Sequence, residues 1–328
     1  MTVDFKELKT ALYGAVDIKE KDGYLCPRRF TDRQFEHFVK TENYIHKLWK
    51  GRSSAGMELD FYTDSDFVEF EAFCFRAATP KEFFFDIYVD GEFYRDVEIL
   101  IDEEGEIKAY CKLPSGEKRV TVYFSAFYSV NIKSFLLSDG AYFKKAEKKR
   151  KLLFLGDSIT QGYTALHPSC AYTSILCRGL DAQCVNQGIG ANVFNADDLD
   201  AKMPYNPDAL FVAYGTNDWT HNRDIKTEAG KYLKKLTEIY CNAKIYVILP
   251  IWRGRLDEHE QKTIITFDKM HEILENTCKD FADVTVIDGR ELVPNDMTLF
   301  RADKTHPTED GFRHYGNNLL KKLKELEK

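Results

Sequence analysis

Two different spacings of apolar residues divide the chain. In the first half, Val68-Glu69-Phe70-Glu71-Ala72-Phe73-Cys74 alternates apolar and charged positions. That is the period-two signature of a half-buried strand. Residues 83–89 form an aromatic and β-branched run that meets Asp90-Gly91 before Glu92-Phe93-Tyr94. Glycine tolerates the positive φ of a type I′ turn, so Asp-Gly between two such runs predicts a hairpin. Residues 120–124 and 130–135 alternate again. Short strands punctuated by turns predict an all-β sandwich of antiparallel sheets, jelly-roll-like in kind.

The second half changes character. Leu152-Leu153-Phe154-Leu155, Ala209-Leu210-Phe211-Val212-Ala213-Tyr214, Ile245-Tyr246-Val247-Ile248-Leu249 and Val284-Thr285-Val286-Ile287 are nearly continuous apolar runs. Such runs suit strands covered on both faces of a parallel sheet. Between and after them lie helix-like stretches at 226–240, 260–279 and 308–327, and this alternation predicts a layered α/β domain. The basic stretch 144–150 reads as a solvated linker. It divides the chain into an accessory β-sandwich domain, 1–145, and an α/β domain, 146–328.

Composition narrows the function. The chain has 328 residues and a net charge of −7, with 53 acidic against 46 basic side chains. Nucleic acid is excluded as a partner, since phosphate binding wants a basic face. The N-terminal residues show no basic segment leading into an apolar one, and no run reaches the ~18 apolar residues of a membrane span. A cytoplasmic protein with no membrane partner is expected. The eight cysteines contain no C-x-x-C pair, which suits reduced, mostly buried thiols. Neither cysteines nor histidines show metal-ligand spacing, so no metal is expected. No internal repeat is visible, and nothing in the sequence fixes the oligomeric state.

Four segments of the α/β half carry candidate chemistry. Gly156-Asp157-Ser158-Ile159-Thr160 follows directly on the first apolar run. Ligands of open α/β sheets sit outside the carboxyl ends of the strands, so Ser158 is expected at the mouth of a site, with its own N–H aimed at a developing oxyanion. Alone, such a serine reads more readily as a helix cap. Asp303-Lys304-Thr305-His306-Pro307 lies far downstream. A neutral imidazole is suited to take a serine proton near pH 7, and a carboxylate three residues earlier can fold back on Nδ1 and fix the tautomer. The plain alternative is a surface loop that caps a helix. Tyr214-Gly215-Thr216-Asn217-Asp218 places an amide donor, Asn217, after another buried strand, where an Asx-turn is the competing reading. Asn186-Gln187-Gly188-Ile189-Gly190-Ala191-Asn192 has small residues that let the backbone present an N–H closely to a substrate oxygen, or that simply make a tight turn.

In this order the segments resemble the SGNH (GDSL-type) hydrolase superfamily. Gly156-Asp157-Ser158-Ile159 resembles its serine block, Gly215-Thr216-Asn217-Asp218 its asparagine block and Asp303-Lys304-Thr305-His306-Pro307 its Asp-x-x-His block. The resemblance spans roughly 151–320. It implies a flavodoxin-like three-layer α/β/α fold, and a serine esterase with Ser158 as nucleophile, His306 as base and Asp303 as its orienter, working without a cofactor. It also implies an oxyanion hole of Ser158, Asn217 and either Gly190 or Ala191; the family usually has glycine where this chain has Ala191. The order of a β-rich half followed by a hydrolase resembles two-domain acetyl esterases that deacetylate plant polysaccharides. Phe85-Asp86-Ile87-Tyr88-Val89-Asp90-Gly91 is similar to a segment of their N-terminal domains, though a plain hairpin explains it equally. The implied substrate is a small acyl ester, acetyl on a carbohydrate or oligosaccharide. A lipase or acyl-thioesterase of the same superfamily, or a non-catalytic carbohydrate-binding relic, are the alternatives.

Other positions carry weaker signals. Trp252, two residues past Pro250, is a candidate wall of the pocket, and Trp219, next to Asp218, a candidate stacking platform for a sugar. Packing is the competing role for both. His167 and His221 lie near Ser158 and Asn217 without an acidic partner at suitable spacing, and are expected on the surface.

Overall fold

The computed structural model describes residues 1–41 and 44–327. Two antiparallel sheets come from the first half of the chain. One runs Leu12–Tyr13, Glu58–Thr63, Lys118–Tyr123, Phe84–Val89, Glu92–Glu98, with Lys144–Lys145 added to Glu58–Thr63. The other runs Asp17–Lys21, Tyr24–Arg28, Tyr128–Leu137, Phe67–Arg76, Glu104–Lys112. From Glu58 onward the chain crosses from sheet to sheet at most connections, in the jelly-roll manner. The alternation expected at 68–74 holds: Val68, Phe70, Ala72 and Cys74 are buried. They face Phe85 and Ile87 of the opposite sheet, and the rings of Phe70 and Phe85 meet edge to face at 4.8 Å. Asp90 and Gly91 both have positive φ, 52° and 86°, as a two-residue type I′ hairpin requires.

The third sheet is wholly parallel, ordered Ala182–Gly188, Arg150–Gly156, Ala209–Ala213, Lys244–Ile248, Val284–Ile287. In chain order this is 2-1-3-4-5, the flavodoxin-like arrangement. Helices Tyr172–Leu180 and Glu309–Leu326 cover one face over Leu152, Phe154 and Phe211. Helices Ile225–Ile239 and Phe267–Cys278 cover the other over Leu153, Leu155 and Val212. The strand order reverses beside Arg150–Gly156, which opens a crevice at the carboxyl edge there.

Three expectations need correction. The helix predicted over 260–279 is two helices, Leu256–Glu260 and Phe267–Cys278, because the Thr266 side chain accepts the Lys269 N–H and starts a new one. The first half also holds short helices Phe5–Ala11, Asp32–Phe38 and Tyr44–Gly51 among its strands. The second of these is fixed by a capping box between Thr31 and Gln34. Finally, 144–150 is not solvated throughout: Lys144, Lys145 and Lys149 are exposed, but Lys148 is not. Lys148 is buried against Glu58 at 2.6 Å and against Asp60, while Arg119 binds Asp60 at 2.7 Å and Asp181 at 3.0 Å. Buried charges persist only when paired in this way.

Helix Tyr44–Gly51 reaches across to the parallel sheet. Phe30, Phe38 and Ile189 form a small apolar cluster with Leu48. Beneath it the fully buried Arg29 donates from Nε to Ser53 O (2.8 Å) and from Nη2 to Lys50 O (2.9 Å) and Ser53 Oγ (3.0 Å). Its Nη1 donates to Gly188 O at 3.0 Å and to Asn186 O. Burial draws its pKa down to about 9, which leaves it charged at neutral pH. Arg29→Met strands several buried carbonyls at once, each unsatisfied acceptor costing about 1–3 kcal/mol. Denaturant unfolding should therefore show a loss of several kcal/mol; an unchanged midpoint would contradict this role for the guanidinium.

Candidate active site

The register of the parallel sheet gathers the candidate residues. Gly156 is the partner of both Gly188 and Ala213, so the segments that follow these three residues leave the sheet side by side at its carboxyl edge. The turn after Gly156 is tight: a Cβ there would sit 2.1 Å from Thr160 Oγ1. Asp157 caps the short helix Ser158–Gln161 by accepting the Ile159 N–H at 3.0 Å. Ser158 is the first residue of that helix, and its N–H has no acceptor within it.

Ser158 Oγ lies 2.8 Å from His306 Nε2, and His306 Nδ1 lies 2.7 Å from Asp303 Oδ2. The sequence separates Ser158 and His306 by 148 positions. Lys304 turns through a positive φ of 56°, which folds the loop back so that Asp303 Oδ1 accepts the N–H groups of Thr305 (2.8 Å) and His306 (3.0 Å). Pro307 follows, and Thr308 caps the last helix by accepting the Gly311 N–H. Tyr163 braces the imidazole edge-on at 4.6 Å; nothing in its sequence context signalled this contact.

Burial lowers the pKa of His306, the Arg253 and Lys50 charges push the same way, and Asp303 opposes them without prevailing. Burial also works against the Asp303 charge, but the hydrogen bonds from His306 and Thr305 hold this carboxyl below its usual value. Together these keep His306 neutral and Asp303 ionised near pH 7. Asp157 behaves differently. Burial, with Asp218 nearby, pushes it up to about 7, against the Ile159 N–H and the Arg253 charge.

Of the donors weighed for an oxyanion, Gly190 is already engaged, since its N–H donates to Gln161 Oε1 at 2.8 Å. The N–H of the next residue, Ala191, has no acceptor among the described residues, and its φ of 68° turns the peptide in the left-handed sense. Asn217 Nδ2 donates one hydrogen to Asn192 O at 2.9 Å; a primary amide has a second to offer. The segment 186–192 begins inside a strand, since Ala182–Gly188 includes its first three residues.

The tryptophans part company. Trp219 is 1% exposed, donates from Nε1 to Ile265 O at 2.8 Å and packs on Phe267. It is a core residue and offers no platform to a sugar. Trp252 is half-buried and lines a small cavity of about 30 Å³ together with Asp157, Thr216 and Thr305. Arg253, which stands in none of the four motif segments, links two of them by donating to Thr216 Oγ1 (2.8 Å) and Thr305 Oγ1 (3.2 Å). His167 does have an acidic partner: its Nδ1 lies 2.9 Å from Oδ1 of the buried Asp86, a residue of the β-rich half. His221 borders a cavity beside Ala191. No helix among the described residues is long and apolar enough to cross a membrane.

Residues 154–314 match the GDSL-like Lipase/Acylhydrolase family. No curated protein matches the chain in sequence. Among solved structures, the chain is similar to the salicylyl-acyltransferase SsfX3 from a tetracycline biosynthetic pathway, at 21% identity and a TM-score of 0.82 over 97% of this chain and 95% of that one. It is similar to a putative GDSL-like lipase from Bacteroides ovatus, at 19% identity and 0.76 over 99% and 96%. It also resembles the acetyl xylan esterase Est2A from the rumen bacterium Butyrivibrio proteoclasticus, at 16% identity and 0.64 over 99% and 98%. These likenesses establish a shared fold along essentially the whole chain.

The environment of His306 makes a direct prediction. Its imidazole should titrate below the ordinary histidine value of 6.5 in an NMR pH series. The unfolded chain then takes up this proton first, so the residue weakens the fold as pH falls below about 6.5. A midpoint above 6.5 would mean that Asp303 outweighs burial and the two cations.

Proposed function

We propose that the chain, a carboxylic ester hydrolase carrying a GDSL-like acylhydrolase domain, cleaves small acyl esters with Ser158, His306 and Asp303. The observation that carries this reading is the unbroken run of contacts from Ser158 Oγ through His306 to Asp303, at 2.8 and 2.7 Å. In the first half-reaction His306 Nε2 takes the Ser158 proton as Oγ bonds to the ester carbonyl carbon. Asp303 holds Nδ1–H and stabilises the imidazolium that forms. The carbonyl oxygen becomes an oxyanion facing the N–H of Ser158, the N–H of Ala191 and the second amide hydrogen of Asn217. Collapse of this intermediate breaks the ester C–O bond, and His306 gives its proton to the departing alcohol. Water then repeats the sequence on the acyl-serine, releasing the acid and restoring Ser158.

Ala191 rather than Gly190 fills the backbone position in this scheme, because the Gly190 N–H is held by Gln161. Gly190 shapes the site instead. Residues 146–328 form the catalytic domain and 1–145 the accessory domain, which still reaches the site through helix Tyr44–Gly51. The substrate class is a small acyl group, acetyl foremost, on a carbohydrate or other small alcohol; the likeness to an acetyl xylan esterase supports it. Trp252 is the remaining aromatic candidate for the pocket wall.

Hydrolysis of p-nitrophenyl acetate tests the assignment. Ser158→Ala should remove activity by at least about 10³-fold, and Asp303→Asn should lower kcat by about 10²–10⁴-fold while the protein stays folded. Wild-type rates in the serine variant would end the proposal; an unchanged kcat in the aspartate variant would remove Asp303 from it.

A further inference from the structure

Next to Ala191 lies a second cavity, of ≈540 Å³. Its walls include His46, Lys47, Lys50, His221 and Arg223, and the described residues that line it include no carboxylate, although acidic residues outnumber basic ones in the chain. Two of the three permanent charges are answered elsewhere. Both Asp198 carboxylate oxygens accept from Lys47 Nζ at 2.8 Å. Arg223 binds Asp218 at 2.6 Å and Glu228 at 3.2 Å.

Lys50 is not answered. Its Nζ donates to Gly190 O at 3.2 Å, and no carboxylate among the described residues stands within 4 Å of it. The ammonium is partly buried, which lowers its pKa, and its field reaches the His306 imidazole. Nor is it loosely placed. Arg29 grips the Lys50 carbonyl at 2.9 Å, and the lysine stem passes close over Gly190, where a Cβ would sit 3.0 Å from Nζ and 3.2 Å from Cδ. A partly desolvated cation without a counter-ion is unfavourable in the empty protein and favourable once an anion arrives.

We propose that Lys50 is a specificity residue that receives a carboxylate borne by the substrate a few bonds from the ester carbonyl, so that the preferred substrates are acidic esters. This rests on the serine-esterase reading and narrows its substrate class. The carboxylate enters through this cavity, pairs with the ammonium and leaves the ester group beside Ala191. A neutral ester of the same shape forgoes that pairing and leaves the lysine unpaired in a site it has dried.

Two matched substrate pairs test this. 3-Acetoxybenzoate and 3-acetoxybenzamide place the charge, or its neutral counterpart, on the leaving alcohol. Monomethyl glutarate and methyl 4-carbamoylbutanoate place it on the acyl group. In at least one pair the wild-type chain should favour the anion by ten-fold or more in kcat/KM. That ratio should shrink as salt is raised, and Lys50→Met should lower it at least ten-fold. Equal ratios in wild type and Lys50→Met for both pairs would overturn the proposal. Calorimetric binding of 3-acetoxybenzoate and monomethyl glutarate to Ser158→Ala, with and without Lys50→Met, separates the two claims. If no ester is hydrolysed the esterase reading fails, and the calorimetry still decides on Lys50: at least ten-fold weaker binding of either anion in the double variant supports its role, and equal binding of both removes it.

Discussion

The guanidinium of Arg29 is the contact on which the site's geometry depends. It has five N–H donors in a fixed plane, and all of them end on oxygens inside the protein, none on a carboxylate. Two of those oxygens belong to strand Ala182–Gly188, two to Ser53 and one to the helix that bears Lys50. A planar fork cannot satisfy so many acceptors unless they are held in one arrangement, so the fork and the backbone around it define each other. The edge of the parallel sheet, the loop running to Ala191 and the cationic helix thus share one fixed point.

Around it, electrostatics assigns different roles to chemically alike groups of one site. Asp303 stays ionised because backbone N–H groups and the imidazole point at it, whereas Asp157, next to Ser158, is buried and is pushed up to about 7 despite the backbone N–H groups that face it. Two carboxyls at one rim are therefore separated by environment alone, the usual way a protein divides labour between like groups. Arg253 spans the blocks containing Thr216 and Thr305, so the amide and imidazole segments are tied to each other as well as to the sheet.

The sheet and the four motif segments were legible because their information is local. A strand of continuous apolar residues ends, a small residue permits the turn, and a polar side chain emerges at the carboxyl edge. Trp219 shows where such reasoning fails. It stands two residues from Asn217 in the same short helix, and two helical steps turn a side chain about 200°, so one faces the site and the other the core. Arg29 and Lys50 were invisible for a different reason. Arg29 meets its partners across as many as 159 positions, and neither residue sits in a periodic pattern or a motif. The pairing of His167 is hidden for the same reason, since its carboxylate partner, Asp86, lies on the other half of the chain rather than at a nearby spacing. The helices among the first strands were lost because short segments show too few turns for their period to register.

The burial of Lys148 has a consequence for how such a polypeptide can be rearranged. A boundary in the 140s looks like a convenient place to cut, yet the basic side chain just past it is enclosed by Glu58 and Asp60. Excising the C-terminal part would uncover that lysine, leave Glu58 without its cation and leave Asp60 with Arg119 alone. The two halves are therefore not interchangeable modules. Grafting this hydrolase onto another accessory fold would require the acids to travel with it, so shuffling of the halves is resisted by the seam itself.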